Sequence, residues 1–196
     1  SIPAKMLLTG FLFYLAPLIL HDLGASNAEI GRLAMIYGIS ALVLMPVFAR
    51  LTDRFEAHGL MVGLGGLIAG WGLVPLLFGG DTGLVALAIL ALGVGQALSI
   101  PAQTAMITIV GRSEIAEFGP GPVLGTFRLA ERLGAAAGPL VAAQIAAGFG
   151  MAEAVPIFGL AAVTTATLFA ALFMTIGTEP QDDDLDLGPM EREPAA

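Results

Sequence analysis

The stretch TGLVALAILALGVGQALSIPAQTAMITIVG, residues 82–111, runs for thirty positions without one Asp, Glu, Lys, Arg or His. A bilayer core about 30 Å thick is crossed by about 20 helical residues at about 1.5 Å each. The stretch is therefore long enough to span. A membrane-spanning strand would instead show roughly ten-residue segments alternating apolar and polar, and Leu, Ala, Gly, Ile and Val follow one another here without alternation. Working outward, further charge-free stretches occupy 6–20, 33–49, 59–80, 133–152 and 154–178. The two shortest are flanked by Lys5 and His21, and by Arg32 and Arg50, side chains that can reach the interface while their stems stay in the apolar layer. The sequence predicts an all-α integral membrane bundle of six transmembrane helices, at about 3–23, 28–49, 60–78, 84–110, 122–149 and 154–176.

Composition agrees. The chain is 57% hydrophobic and 12% charged, against roughly 45–50% and 25% in soluble domains. A 196-residue globule has too little interior for so much apolar surface. The net charge of −8 is concentrated at one end, because residues 179–196 hold seven acids and Arg192. That segment, centred on Asp182–Asp184, is predicted to be a disordered acidic cytoplasmic tail following a membrane domain over 1–178. With no cysteine and only His21 and His58, far apart in sequence, no metal, no disulfide and no cofactor is expected. No nucleic-acid partner is expected either. The opening at Ser1 lacks the basic start and cleavage site of a signal peptide, and residue 1 is expected to be a cut point in a longer polypeptide.

Basic residues near helix ends set orientation. Lys5, Arg50, Arg54 and Arg112 fall on one side, joined by Arg128 and Arg132 near the start of the fifth span, and Arg32 alone falls on the other. Both termini and the 50–58 link are thus expected in the cytoplasm. Five spans contain an internal proline, at Pro17, Pro46, Pro75, Pro101 and Pro139, and Gly66/Gly70, Gly121/Gly125 and Gly134/Gly138 each show a GxxxG spacing. Small residues let helices approach closely in lipid. Kinks and close crossings serve static packing or a rocking motion, and both readings stay open.

Three segments carry functional signals. Ala49 to His58 places Asp53 and Arg54 in a short link between the second and third spans, where charge either sets topology or makes a specific contact. In Gly125 to Pro139, Arg128, Glu131 and Arg132 share a helical face. An ionisable group at mid-bilayer costs about 2.5–3.5 kcal/mol on insertion scales, so this trio either sits at the cytoplasmic interface or forms a gating or coupling network. In the fourth span Gln96, Ser99 and Gln103 form one polar stripe, which either bonds neighbouring helices or faces a polar cavity. In the first span Tyr14 and His21 share a face. His21, beside Asp22, reads as interfacial, and Tyr14 as the better cavity candidate.

These segments resemble the major facilitator superfamily, read as its helices seven to twelve, over roughly residues 5–177. The family's signature between the second and third helix of each half is approximately G-x-L-x-D-R-x-G-R. Leu51, Asp53 and Arg54 match it; Ala49 stands at the first glycine, and Glu56 and Ala57 replace the later glycine and basic residue. The run from Gly125 is similar to the family's eleventh helix. The resemblance implies the C-terminal six-helix half of a secondary active transporter in the cell inner membrane. An enzyme is not expected, because an intramembrane one needs a buried nucleophile and base, and the charge-free stretches hold no His and no Asp. The implied partners are the lipid bilayer, an N-terminal six-helix half in the same polypeptide or a second chain, and a small-molecule substrate moved by alternating access with proton coupling. It also implies that the first and fourth spans line the cavity, through Tyr14, Gln96, Ser99 and Gln103. Asp53 would lock one access state beside Arg54, and Glu131 would carry a proton with Arg128 and Arg132 as partners. A membrane sensory or scaffold module of a larger receptor-like protein is the alternative.

Overall fold

The computed structural model describes residues 2–55 and 58–176. Its elements are α1 (Ile2–Asp22), α2 (Asn27–Phe55), α3 (His58–Trp71) with a following 3-10 turn (Val74–Leu77), α4 (Thr82–Val110), a short α5 (Arg112–Phe118), α6 (Pro120–Phe149) and α7 (Met151–Ile176). No strand occurs among the described residues. Glu56 and Ala57 of the signature, and the acidic tail 179–196, lie outside the described residues.

Five of these rods are long and apolar enough to cross a membrane: α1, α2, α3 with its turn, α4 and α7. The sixth, α6, has 30 residues, about 45 Å at the standard rise. Its apolar stretch is diluted by Arg128, Glu131 and Arg132, so it does not join the five on apolar character.

Helix boundaries follow local chemistry, and several depart from the sequence expectation. α2 does not stop at Ala49 but continues to Phe55. Charge marks where a helix leaves the apolar layer and does not itself end the helix. Ser26 caps α2: its backbone N–H donates to Glu29 Oε2 at 2.8 Å, and its hydroxyl faces the Glu29 N–H at 3.4 Å. Ser-x-x-Glu is a capping box. The link 111–121 holds α5, separated from α6 by Gly119 at φ +81° and by Pro120 in the first helical turn. α3 ends at Trp71, and Pro75 lies in the 3-10 turn; proline has no N–H and crowds the carbonyl four residues back. In α1 the same cause acts more gently. A π-helical turn over Phe11–Leu15 precedes Pro17, and such a wider turn accommodates a break in the hydrogen-bond ladder.

α1 and α4 hold the centre. Phe11, Leu15, Leu20, Val85, Ile89 and Leu92 are all essentially inaccessible. α2 is the least buried of the five apolar rods and presents Leu42 and Val43 outward, which suits lipid contact. The crossings are built on small residues. A Cβ on Gly138 of α6 would lie 2.6 Å from the Met6 carbonyl oxygen of α1, and one on Gly95 of α4 would lie 2.9 Å from Ala69 Cβ of α3. Of the GxxxG pairs named above, Gly134/Gly138 marks a crossing against α1 and Gly66/Gly70 one against α7; Gly121 and Gly125 have open space beside them.

Candidate functional site

Charge and cavity both lie at the end of the bundle where α1 starts and α4 ends. On α6, Glu131 is buried, with 7% of its surface exposed. Arg128, one turn earlier on the same helix, donates from Nη1 to Glu131 Oε2 at 2.7 Å. The second partner comes from α1: Lys5 Nζ lies 3.4 Å from Glu131 Oε1. Lys5 is the residue the sequence reading missed as a site member. It reads there as a topology charge, and no local spacing ties it to a residue 126 positions away. Arg132, expected as a second arginine partner, is exposed and makes no ion pair among the described residues. Next to Glu131 in sequence, it lies about 100° round the helix from it and does not face that carboxylate.

Beside this cluster, Thr9 Oγ1 lies 2.9 Å from the Lys5 carbonyl and 2.8 Å from the Ala135 carbonyl. Its one proton is shared between α1 and α6. With the tight approach at Gly134 and Gly138, this fixes the height of Lys5 against Glu131. Both residues stand where the charge-free stretches 6–20 and 133–152 begin, so the cluster sits at the edge of the apolar layer.

A cavity of about 390 Å³ opens between α1, α4 and α7, with single contributions from Val62 of α3 and Phe127 of α6. α1 and α7 meet where the Phe158 ring packs over Gly10. From that contact they run apart, α1 back towards Pro3 and α7 on towards Leu172, and the cavity fills the wedge.

The polar stripe of α4 divides on close view. Gln96 is buried and donates from Nε2 to the Ala4 carbonyl at 3.2 Å, while its Oε1 is buried with no hydrogen-bond partner. Ser99 donates to the Val62 carbonyl at 3.3 Å and also lines the cavity. Gln103 lines the cavity. Tyr14 does not join them; it sits in the π-helical turn, half-buried against the apolar core. Asp53 and Arg54 are exposed in the last turn of α2, with no ion pair to either among the described residues. His21 and Asp22 are both exposed and 4.0 Å apart, as an interfacial pair would be. No three His, Asp or Glu converge into a metal-binding group among the described residues.

A helical membrane bundle with an ion cluster at its edge and a largely apolar cavity inside it defines the class, a polytopic membrane protein with room for a small molecule. The family match makes that class specific: residues 4–194 match the Major Facilitator Superfamily. The chain belongs to that superfamily, a family of membrane transporters. No curated protein and no solved structure matches it.

Proposed function

We propose that this chain is the C-terminal half of a secondary active transporter, with six membrane crossings and both termini in the cytoplasm. It moves a small molecule by alternating access, coupled to protons. The observation that carries the reading is the Lys5–Glu131–Arg128 cluster across the α1–α6 contact. A carboxylate buried at the edge of a membrane bundle is costly unless paired, and such groups mark coupling and gating sites. Here the pair also bridges two helices held by glycine contacts, so neutralising Glu131 removes the only ion pair joining α1 to α6 among the described residues. That is a two-state element: charged, it holds the cytoplasmic ends of α1 and α6 together, and protonated, it lets them part.

In this scheme α4 presents Ser99 and Gln103 to the transported molecule, and Gln96 ties α4 to α1, so movement of α1 is felt at the cavity wall. Asp53 and Arg54 face the cytoplasm and act on the partner half. The test is flux by the full polypeptide in sealed proteoliposomes over an imposed pH difference. Glu131→Gln is expected to insert normally and to lose most of the pH dependence of flux. An unchanged pH profile would remove Glu131 from coupling and leave the cluster a packing feature.

A further inference from the structure

The geometry points to the α1–α4–α7 cavity as a binding site for a neutral, mainly apolar molecule that carries a hydroxyl group, taken from the bilayer. This rests on the reading of the α4 stripe as ligand-facing, and it adds the chemical class of the ligand.

Among the described residues, no Asp, Glu, Lys, Arg or His lines the cavity. A ligand ion would lie unpaired in an apolar pocket, which is strongly disfavoured. The ionic cluster does not supply a partner, because both Glu131 oxygens are already held, by Lys5 and by Arg128.

Size and wall chemistry follow. About 390 Å³ lies within the range of small-molecule sites, roughly 300–1,000 Å³. Leu7, Val62, Met106, Ile107 and Phe169 give an apolar wall. Against it stand three polar side chains, Ser99, Gln103 and Thr165. The Ser99 hydroxyl spends its proton on the Val62 carbonyl, and the Thr165 hydroxyl spends its own on the Ala161 carbonyl. Both therefore offer the cavity acceptor lone pairs only. The Gln103 side chain hydrogen-bonds to no described residue, so its amide offers both a donor and an acceptor. A hydroxyl is the smallest group that answers this set, donating to one oxygen and accepting from the Gln103 amide. A ketone or ether leaves the lone pairs facing no donor. A pure hydrocarbon leaves the Gln103 amide unmet in the bound state.

The route of access is lateral. Leu168 and Leu172 on α7 line the cavity and are more than half, or half, exposed. An apolar rim of this kind faces lipid tails and not water.

The experiment is photolabelling of the full polypeptide in lipid nanodiscs, with labelled residues mapped by mass spectrometry. Four probes share one ten-carbon diazirine chain: a primary alcohol, a monoacylglycerol, an alkane without oxygen, and a carboxylate. The alcohol or the monoacylglycerol is expected to mark cavity residues such as Met106 and Ile107 about three- to tenfold above the alkane, the selectivity of one or two neutral hydrogen bonds. Which of the two labels distinguishes a free amphiphile from a bilayer lipid. Gln103→Leu, close in volume, is expected to bring the alcohol-to-alkane ratio near one while leaving insertion intact. Thr165→Phe, which puts a ring into the cavity beside Gln103 and Ser99, is expected to lower cavity labelling by every probe. Equal labelling by alcohol and alkane, or preferred labelling by the carboxylate, overturns the assignment. Flux in the vesicle assay without cavity labelling overturns it too and leaves the transporter reading standing. Labelling without flux keeps the site and removes that reading.

Discussion

Glu131 is held by two cations of unequal standing. Arg128 makes the shorter contact, at 2.7 Å, but its side chain is 56% exposed; Lys5 stands 3.4 Å away with only 18% exposed. Solvent screens the arginine, and an exposed pair one helical turn apart contributes about 0.3–0.5 kcal/mol. The lysine reaches from another helix into a drier place, where solvent screens the ion pair less, and its loss leaves one oxygen of a buried carboxylate unpaired at a cost of about 1–3 kcal/mol. Lys5→Met is therefore expected to lower the midpoint of unfolding in mixed micelles further than Arg128→Ala does, by about 1–2 kcal/mol of stability. The opposite ranking would make the arginine the anchor and would weaken the case for a switch between α1 and α6. Sequence placed Glu131 and Arg128 together because a helix fixes what lies three residues apart. It could not place Lys5, since that contact depends on how two helices cross.

Helices show the same division between what is local and what is not. Span lengths, the Ser26–Glu29 box and the Asp81 cap, which accepts from the Leu84 N–H at 2.8 Å, are written in neighbouring residues. The continuation of α2 to Phe55 and the helix inside the 111–121 link were illegible to a reading that followed hydropathy, because hydropathy reports the bilayer edge and says little about where hydrogen bonding ends. GxxxG spacing is local too, and it marks a potential crossing without saying whether a helix arrives. Gly138 receives one, with the Met6 carbonyl oxygen 2.6 Å from where a Cβ would stand; Gly125 receives none. Gly138→Ala is accordingly expected to destabilise by about 1–3 kcal/mol, the range for overpacking a filled contact. Gly125→Ala should be neutral, or stabilising by up to about 1 kcal/mol through helix propensity. Unfolding titrations of the two variants, measured side by side, separate these outcomes. Equal losses would mean that α6 packs on more than its α1-facing side.

For the whole molecule the decisive element is α6, because its apolar character alone leaves its path open while its neighbours constrain it. Thr9 and the glycine contacts bind it to α1 along a shared length, and α1 is apolar enough to span. In the proposed six-crossing arrangement, this helix of about 45 Å spans beside α1, with Arg128 and Glu131 left at the edge. The cysteine-free sequence allows this to be tested with single cysteines and a membrane-impermeant thiol reagent on whole cells. Substitutions at Asn27, Gly80 and Gly148 are expected to react from outside, and those at Arg54 and Glu114 only after the membrane is opened. The pair Glu114 and Gly148 decides the question, since these positions flank α6 and only a crossing puts them on opposite sides. Reaction of both from the same side would leave five crossings and carry the far end of α7 to the opposite face. It would then place Glu131 along the membrane surface, where a buried switch between α1 and α6 could not operate.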